Sequence, residues 1–161
     1  MLYIAKKRVE IKKQMKLRKA EKGDEKAIMA LIHELAEYEK EPEAVINTPE
    51  QLGIDLFEDT ICDCFVLLKE DKIIGMALYY ISYSTWRGRC LYLEDFYVQP
   101  EHRRKGAGVM LFEALLKEVK NLGVKRMDWQ VLAWNEPALN FYRKIGATLD
   151  EEWVNGRMFF E

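Results

Sequence analysis

Glu94 and Asp95 stand side by side inside the strand-like run YLEDFYV, residues 92–98, and Arg103, Arg104 and Lys105 follow directly ahead of Gly106 and Gly108. Strand side chains alternate between faces, which groups Glu94 with Tyr92, Phe96 and Val98, and Asp95 with Leu93 and Tyr97. One of the two carboxylates must then face an interior or a cleft. Desolvation there raises its pKa and makes it a proton acceptor near neutral pH. A salt-bridged pair at a sheet edge accounts for the same residues.

The glycines suggest a different chemistry. At a strand-to-helix turn, missing Cβ atoms at Gly106 and Gly108 let backbone N–H groups surround an anion at the helix N-terminus, and the three cations add formal charge to the helix dipole. A phosphate is the natural ligand. The stretch is not the dinucleotide fingerprint G-x-G-x-x-G, because Leu111 holds the third place, and it has no Gly-Lys-Ser/Thr. Taken alone it is more often a basic, solvated helix start. A third stretch, WNEPALNFYRKIGA (residues 134–147), places Asn135 as a helix cap and Tyr142 one turn beyond Ala138. A tyrosine in an apolar helix is by itself more often core than catalyst.

The elements that must carry these residues alternate along the chain. MKLRKA predicts a strand. GDEKAIMALIHELAEYEK predicts a helix capped by Asp24, with Ile28, Leu31, Ile32 and Leu35 on one face and His33 on the polar one. Thr48-Pro49 opens a shorter helix. CDCFVLLKE, KIIGMALYYISYS and CLYLEDFYVQP read as consecutive antiparallel strands, the first two joined by a turn at Glu70-Asp71-Lys72. A helix from about Ala107 to Asn121 stops at Gly123. The strand RMDWQVLA, a helix EPALNFYRKI ended by Gly146, and a last short strand RMFF complete the chain.

Composition narrows the function classes. The 161 residues are about half hydrophobic, enough for one compact domain with a buried core. Residues 1–14 form a basic extension with five cations and one anion, so the domain over residues 15–161 holds 20 Lys and Arg against 26 Asp and Glu. So acidic a domain suits cationic small molecules and lacks the basic face that nucleic acid needs. No apolar run approaches membrane-spanning length, LYIA is too brief for a signal-peptide core, and the expected location is cytoplasmic. Cys62, Cys64 and Cys90 do not have zinc-site spacing and read as reduced thiols, so no metal is expected.

RRKGAG after YLEDFYV, followed by NEPALNFYRKIGA, resembles the GCN5-related N-acetyltransferase (GNAT) family, whose signature Arg/Gln-x-x-Gly-x-Gly/Ala is met by Arg103, Gly106 and Gly108. LIHELAEYEKEPEAV, GMALYYISYSTWRG, LYLEDFYVQPEHR and WNEPALNFYRKIGA are similar to the diamine, polyamine and thialysine acetyltransferases within it. The resemblance runs from about Met15 to Gly146. It implies an α/β (α+β) fold, a central mixed, mostly antiparallel twisted sheet flanked by helices, and acetyl-CoA as co-substrate. The coenzyme pyrophosphate is expected on Arg103, Arg104, Lys105, Gly106, Ala107, Gly108 and Val109, and the pantetheine arm along the backbone of Phe96, Tyr97 and Val98. Asn135, Pro137, Ala138 and Tyr142 are expected along its far side.

The same resemblance assigns Glu94 as the base that deprotonates the amine and Tyr142 as the acid that protonates the leaving sulfur. Tyr38, Glu39, Glu94, Asp95, Asp128, Trp129 and Gln130 are the expected amine-binding residues, although the run Glu37, Glu39, Glu41 and Glu43 is equally a solvated helix end. The expected reaction is acetyl transfer to a primary amine of a diamine, polyamine or lysine analogue, by a homodimer whose interface includes the stretch from Tyr79 to Trp86. Transfer to an aromatic amine or a protein amino terminus, and a non-catalytic acyl-CoA or polyamine-binding module, are the alternatives.

Overall fold

The structure, a computed structural model, describes residues 14–160. The basic extension expected over residues 1–14 therefore lies outside the described residues, apart from Gln14. Chain contacts group the protein into two compact units, one through Gln130 and one from Val131 onward.

The first unit is a five-stranded sheet in sequential order. Its strands are β1 (Met15–Lys19), β2 (Asp63–Lys69), β3 (Lys72–Ser84), β4 (Gly88–Val98) and β5 (Met127–Trp129). The first three pairings are antiparallel and β4–β5 is parallel, so the sheet is mixed and mostly antiparallel, as expected. Between β1 and β2 run α1 (Glu25–Tyr38) and α2 (Pro49–Phe57); between β4 and β5 runs α3 (Ala107–Leu122).

Strand alternation divides the core between the two faces. Ile28, Met29 and Leu31 of α1 and Leu52 and Leu56 of α2 pack with Cys64, Val66, Leu68, Met76, Leu78 and Tyr97. The intervening side chains face α3, whose Leu111, Phe112, Ala114 and Leu115 are buried. Burying each such aliphatic side chain contributes about 1.5–3 kcal/mol. Gly75 of β3 is required by this packing: a Cβ there would lie 3.0 Å from the Tyr97 carbonyl oxygen and 3.3 Å from Leu111.

Local signals explain most element ends. Thr48 caps α2, its hydroxyl accepting from the Gln51 N–H at 3.2 Å. Glu70 and Asp71, both at positive φ, make the two-residue turn between β2 and β3, the backbone that a tight hairpin demands. Asp24 precedes α1 but caps nothing with its side chain. Its carboxylate instead accepts from the Arg18 guanidinium at 3.0 Å and the Glu21 N–H at 2.8 Å, because an ion pair tying β1 to the helix start outcompetes the neutral cap.

Three further expectations are corrected. Tyr79 is not part of an exposed stretch: it is buried, with its hydroxyl on Glu118 at 3.1 Å, while Tyr83 and Trp86 are exposed. The strand expected over RMDWQVLA is only Met127–Trp129. RMFF forms no strand, and Met158, Phe159 and Phe160 are exposed. Strand propensity is expressed only where a partner edge pairs with it.

The second unit contains α4 (Glu136–Lys144). Asn135 caps it, its side-chain oxygen accepting from the Ala138 N–H at 3.3 Å, and Gly146 follows at positive φ.

Candidate acetyl-transfer site

The pairing of β3 with β4 skips a residue at the critical place. Leu78 lies opposite Asp95 and Tyr79 lies opposite Leu93, so Glu94 is the extra residue of a β-bulge. Leu78 packs toward α1 and α2, which puts Asp95 on that face, together with Tyr97. Tyr79 reaches Glu118 of α3, which puts Leu93 on the other face, with Phe96 against Phe112. Strict alternation therefore fails: Asp95 does not share a face with Leu93, nor Glu94 with Phe96 and Val98. The Glu94 carboxylate lies near enough to Tyr80 for its charge to act on that hydroxyl, and the Tyr80 ring stacks on Tyr92 at 5.2 Å. Both carboxylates consequently serve the α1 face.

Their environments differ. Glu94 is exposed and Asp95 is half-buried. Burial, and then the charges of Glu94 and Glu39, push the Asp95 carboxyl up to about 6. The desolvated carboxylate of the pair is thus Asp95, and the accessible one is Glu94.

Glu39 follows the last residue of α1. Its neighbours Glu37, Glu41 and Glu43 are exposed, whereas Glu39 is half-buried and its carboxyl is raised by desolvation. It is the member of the acidic run that sits near Asp95 closely enough to shift it. Tyr38 instead faces a cation: the Arg103 guanidinium carbon lies 5.2 Å from its ring centroid and 5.2 Å from that of Tyr97.

The cofactor residues expected in this unit cluster at the end of β4 and the start of α3. The β4–β5 ladder runs from Leu91–Met127 to Leu93–Trp129 and ends there, while β4 continues to Val98. Residues 95–98 of β4 therefore lie beyond the β5 ladder. After a turn at Pro100–His102, Arg104 and Gly106 take positive φ, and Gly106 caps α3 in a left-handed conformation that a Cβ disfavours. The first N–H groups of α3, at Ala107, Gly108 and Val109, point out of its end by helix geometry. Arg104 and Lys105 are exposed. Arg103 is not turned outward with them, since its Nε donates to the Val98 carbonyl at 2.7 Å.

Asp128 and Trp129 lie on β5, opposite Tyr92 and Leu93 respectively, and Gln130 follows them. Trp129, expected among the amine-binding residues, instead faces α3, its ring edge-on to Phe112 at 6.0 Å, because its place opposite Leu93 puts it on the sheet face away from Asp95. Asp128 accepts from Arg126 Nε at 2.8 Å, so part of its charge is already balanced. In the second unit, Asn135 and Tyr142 are buried, Pro137 is in the first turn of α4, and Ala138 and Tyr142 share a helix face at i, i+4.

Sequence reading missed Tyr80, Glu34 and Gln99. Tyr80 lies beside Glu94, and Gln99 donates to Glu34 of α1 at 2.9 Å, tying that helix to the end of β4. Only the register across the bulge picks Tyr80 out of the aromatic run around it. Among the described residues, no group of three or more His, Cys, Asp or Glu is placed to hold a metal ion, and no helix is long and apolar enough to cross a membrane.

Comparison with known proteins places this geometry in context. Residues 27–147 match the profile of the acetyltransferase (GNAT) family. The thialysine N-epsilon-acetyltransferase of Caenorhabditis elegans is 37% identical over 134 residues, covering 81% of this chain and 83% of that protein. The human spermidine/spermine N(1)-acetyltransferase-like protein 1 is 32% identical over 148 residues, 85% of this chain and 21% of that protein. An aminoglycoside acetyltransferase from an uncultured soil metagenomic sample, solved in complex with trehalose, superimposes with a TM-score of 0.79 at 23% identity, covering 94% of this chain and 99% of that one, a likeness of fold.

Proposed function

Since this chain belongs to the acetyltransferase (GNAT) family and is an N-acetyltransferase, we propose that it transfers the acetyl group of acetyl-CoA to a primary amine of a diamine, polyamine or lysine analogue. The observation that carries this reading is the bulge in β4. It presents an accessible carboxylate, Glu94, beside two half-buried ones, Asp95 and Glu39, on a strand that outruns its parallel neighbour. The relatives that act on thialysine support a lysine-like acceptor, and the spermidine/spermine acetyltransferase-like relative supports a polyamine.

Chemistry follows from the acceptor. An alkylammonium with a pKa of about 10.4 is almost wholly protonated at neutral pH and has no lone pair for attack. Glu94 takes that proton, directly or through a water, with Tyr80 beside its carboxylate. The amine nitrogen bonds to the thioester carbonyl carbon, the developing oxyanion is met by a backbone N–H near Phe96, and the carbon–sulfur bond then breaks. Tyr142 gives its proton to the departing sulfur. Residues 95–98 hold the pantetheine arm as an added strand, and the α3 N-terminus with Arg104 and Lys105 holds the pyrophosphate. Asn135, Pro137 and Ala138 line the cofactor. Asp95 and Glu39 bind the distal ammonium, with Tyr38, Gln130 and the partly balanced Asp128 around it.

Release of free thiol from acetyl-CoA on adding spermidine, thialysine, phenethylamine or a peptide tests the reading. Turnover highest on spermidine or thialysine is expected. Highest turnover on phenethylamine or the peptide moves the acceptor to an aromatic amine or an amino terminus, and no thiol release with any of them leaves a binding module. We further place the protein in the cytoplasm, as a homodimer that covers the exposed Tyr83 and Trp86. A monomer in gel filtration at micromolar concentration would remove the dimer.

A further inference from the structure

Arg103 occupies the arginine position of the glycine turn, yet its side chain is spent elsewhere. Nε donates to the Val98 carbonyl at 2.7 Å. The guanidinium carbon lies 5.2 Å from the centroids of two rings, Tyr38 at the end of α1 and Tyr97 of β4. The charges of both Arg103 and Glu34 of α1 act on the Tyr97 hydroxyl, and Glu34 accepts from Gln99 at 2.9 Å. Two residues of α1 one turn apart, Glu34 and Tyr38, are thus fastened to three consecutive residues of β4 and its exit, Tyr97, Val98 and Gln99, with Arg103 spanning the join.

The residue after Tyr38 is Glu39, half-buried and close enough to raise Asp95. The separation of these carboxylates sets the length of the dication they can bind. That separation depends on how the last turn of α1 sits against β4, and the contacts just named help to hold it, together with the apolar core.

We propose that Arg103 is a positioning residue for the amine rather than a ligand of the coenzyme: held on the Val98 carbonyl and against the Tyr38 and Tyr97 rings, it fastens the end of α1 to β4 and so sets the position of Glu39 relative to Asp95 and Glu94. The consequence for specificity rests on the acetyl-transfer reading above; the fastening itself does not. Lysine at this position keeps the charge but has neither the planar stacking surface nor the Nε donor, so it separates the two roles.

The experiment compares wild type, Arg103→Lys, Arg103→Gln and Gln99→Ala in three measurements. Steady-state kinetics give the Michaelis constants for a diamine, a monoamine of equal length and acetyl-CoA. Calorimetry gives the affinity for coenzyme A without turnover. Hydrogen exchange follows the amides of Glu39 and Glu41, which donate to Leu35 and Ala36 at the end of α1. Both Arg103 variants are expected to raise the diamine constant about tenfold, equivalent to about 1.4 kcal/mol, leave the monoamine constant and coenzyme A affinity within about twofold, and speed exchange at both amides. Gln99→Ala, which removes the parallel tie without touching the arginine, is expected to speed the same amides to a smaller extent. Coenzyme A affinity that falls about tenfold in Arg103→Gln and is restored in Arg103→Lys, with exchange unchanged, would overturn the proposal in favour of a phosphate contact. Exchange unchanged in all three variants would overturn it as well. If wild type turns over no amine, the acetyl-transfer reading fails while exchange and calorimetry still decide the role of Arg103.

Discussion

Glu94 and Asp95, consecutive in β4, serve the same face of the sheet, because the rungs Tyr79–Leu93 and Leu78–Asp95 pass on either side of Glu94. A regular strand would send them to opposite faces. The bulge lets one carboxylate stay accessible for proton transfer while its neighbour is desolvated beside it. Burial and repulsion from Glu94 and Glu39 then raise Asp95, which leaves the pair poised to attract a cation.

Removing the accessible carboxylate should leave a pH signature. Glu94→Gln is expected to lower the rate near neutral pH by about 10²–10⁴, with part of the loss recovered at high pH, where free amine accumulates unaided. Tyr142→Phe should show a smaller loss with no such recovery, since a thiolate whose acid has a pKa of about 8.5 is already a fair leaving group. An unchanged pH–rate profile in Glu94→Gln would move the base elsewhere.

Asp95 gives a stability prediction. Its carboxyl is raised in the folded protein, so between the unfolded value near 3.8 and about 6 the native state binds more protons than the unfolded state, and stability falls as pH rises through that window. Above it the ionised carboxylate costs up to about 3 kcal/mol. Asp95→Asn should therefore raise Tm at pH 7.5 and flatten the dependence between pH 4 and 6, measured by thermal unfolding across that range. A lower Tm at pH 7.5 would contradict the desolvation.

Glu39→Gln should weaken diamine binding by about tenfold while leaving slow acetylation of a monoamine nearly unchanged, because only a two-headed substrate uses a distal anion. Parallel Michaelis constants for 1,4-diaminobutane and butylamine measure the difference. Equal losses on both would take Glu39 out of the amine site.

At the start of α3, a bulky side chain in place of Gly108, or glutamates in place of Arg104 and Lys105, should raise the Michaelis constant for acetyl-CoA by more than about tenfold and that for amine far less. Calorimetry with coenzyme A is the direct check. Unchanged affinity in both variants would reduce the turn to a solvated helix start.

Much of this protein was legible in one dimension. The order of elements, the Thr48 and Asn135 caps, the Glu70-Asp71 turn and the glycine turn ahead of α3 are local features, decided by conformational preferences of a few adjacent residues. The pairing of Glu94 and Asp95 within a strand was enough to mark a site. What tertiary structure alone decided was register and competition. The bulge exists because β3 and β4 pair across it, so the face of each carboxylate, the raised pKa of Asp95 and the nearness of Tyr80 to Glu94 had no signal in β4 itself. Asp24 gave up its cap to Arg18, and RMFF formed no strand, because each depends on a partner elsewhere in the chain. Arg103 carried the family signature, but where its guanidinium went was settled by Tyr38, distant in sequence and brought near only by packing α1 against the sheet.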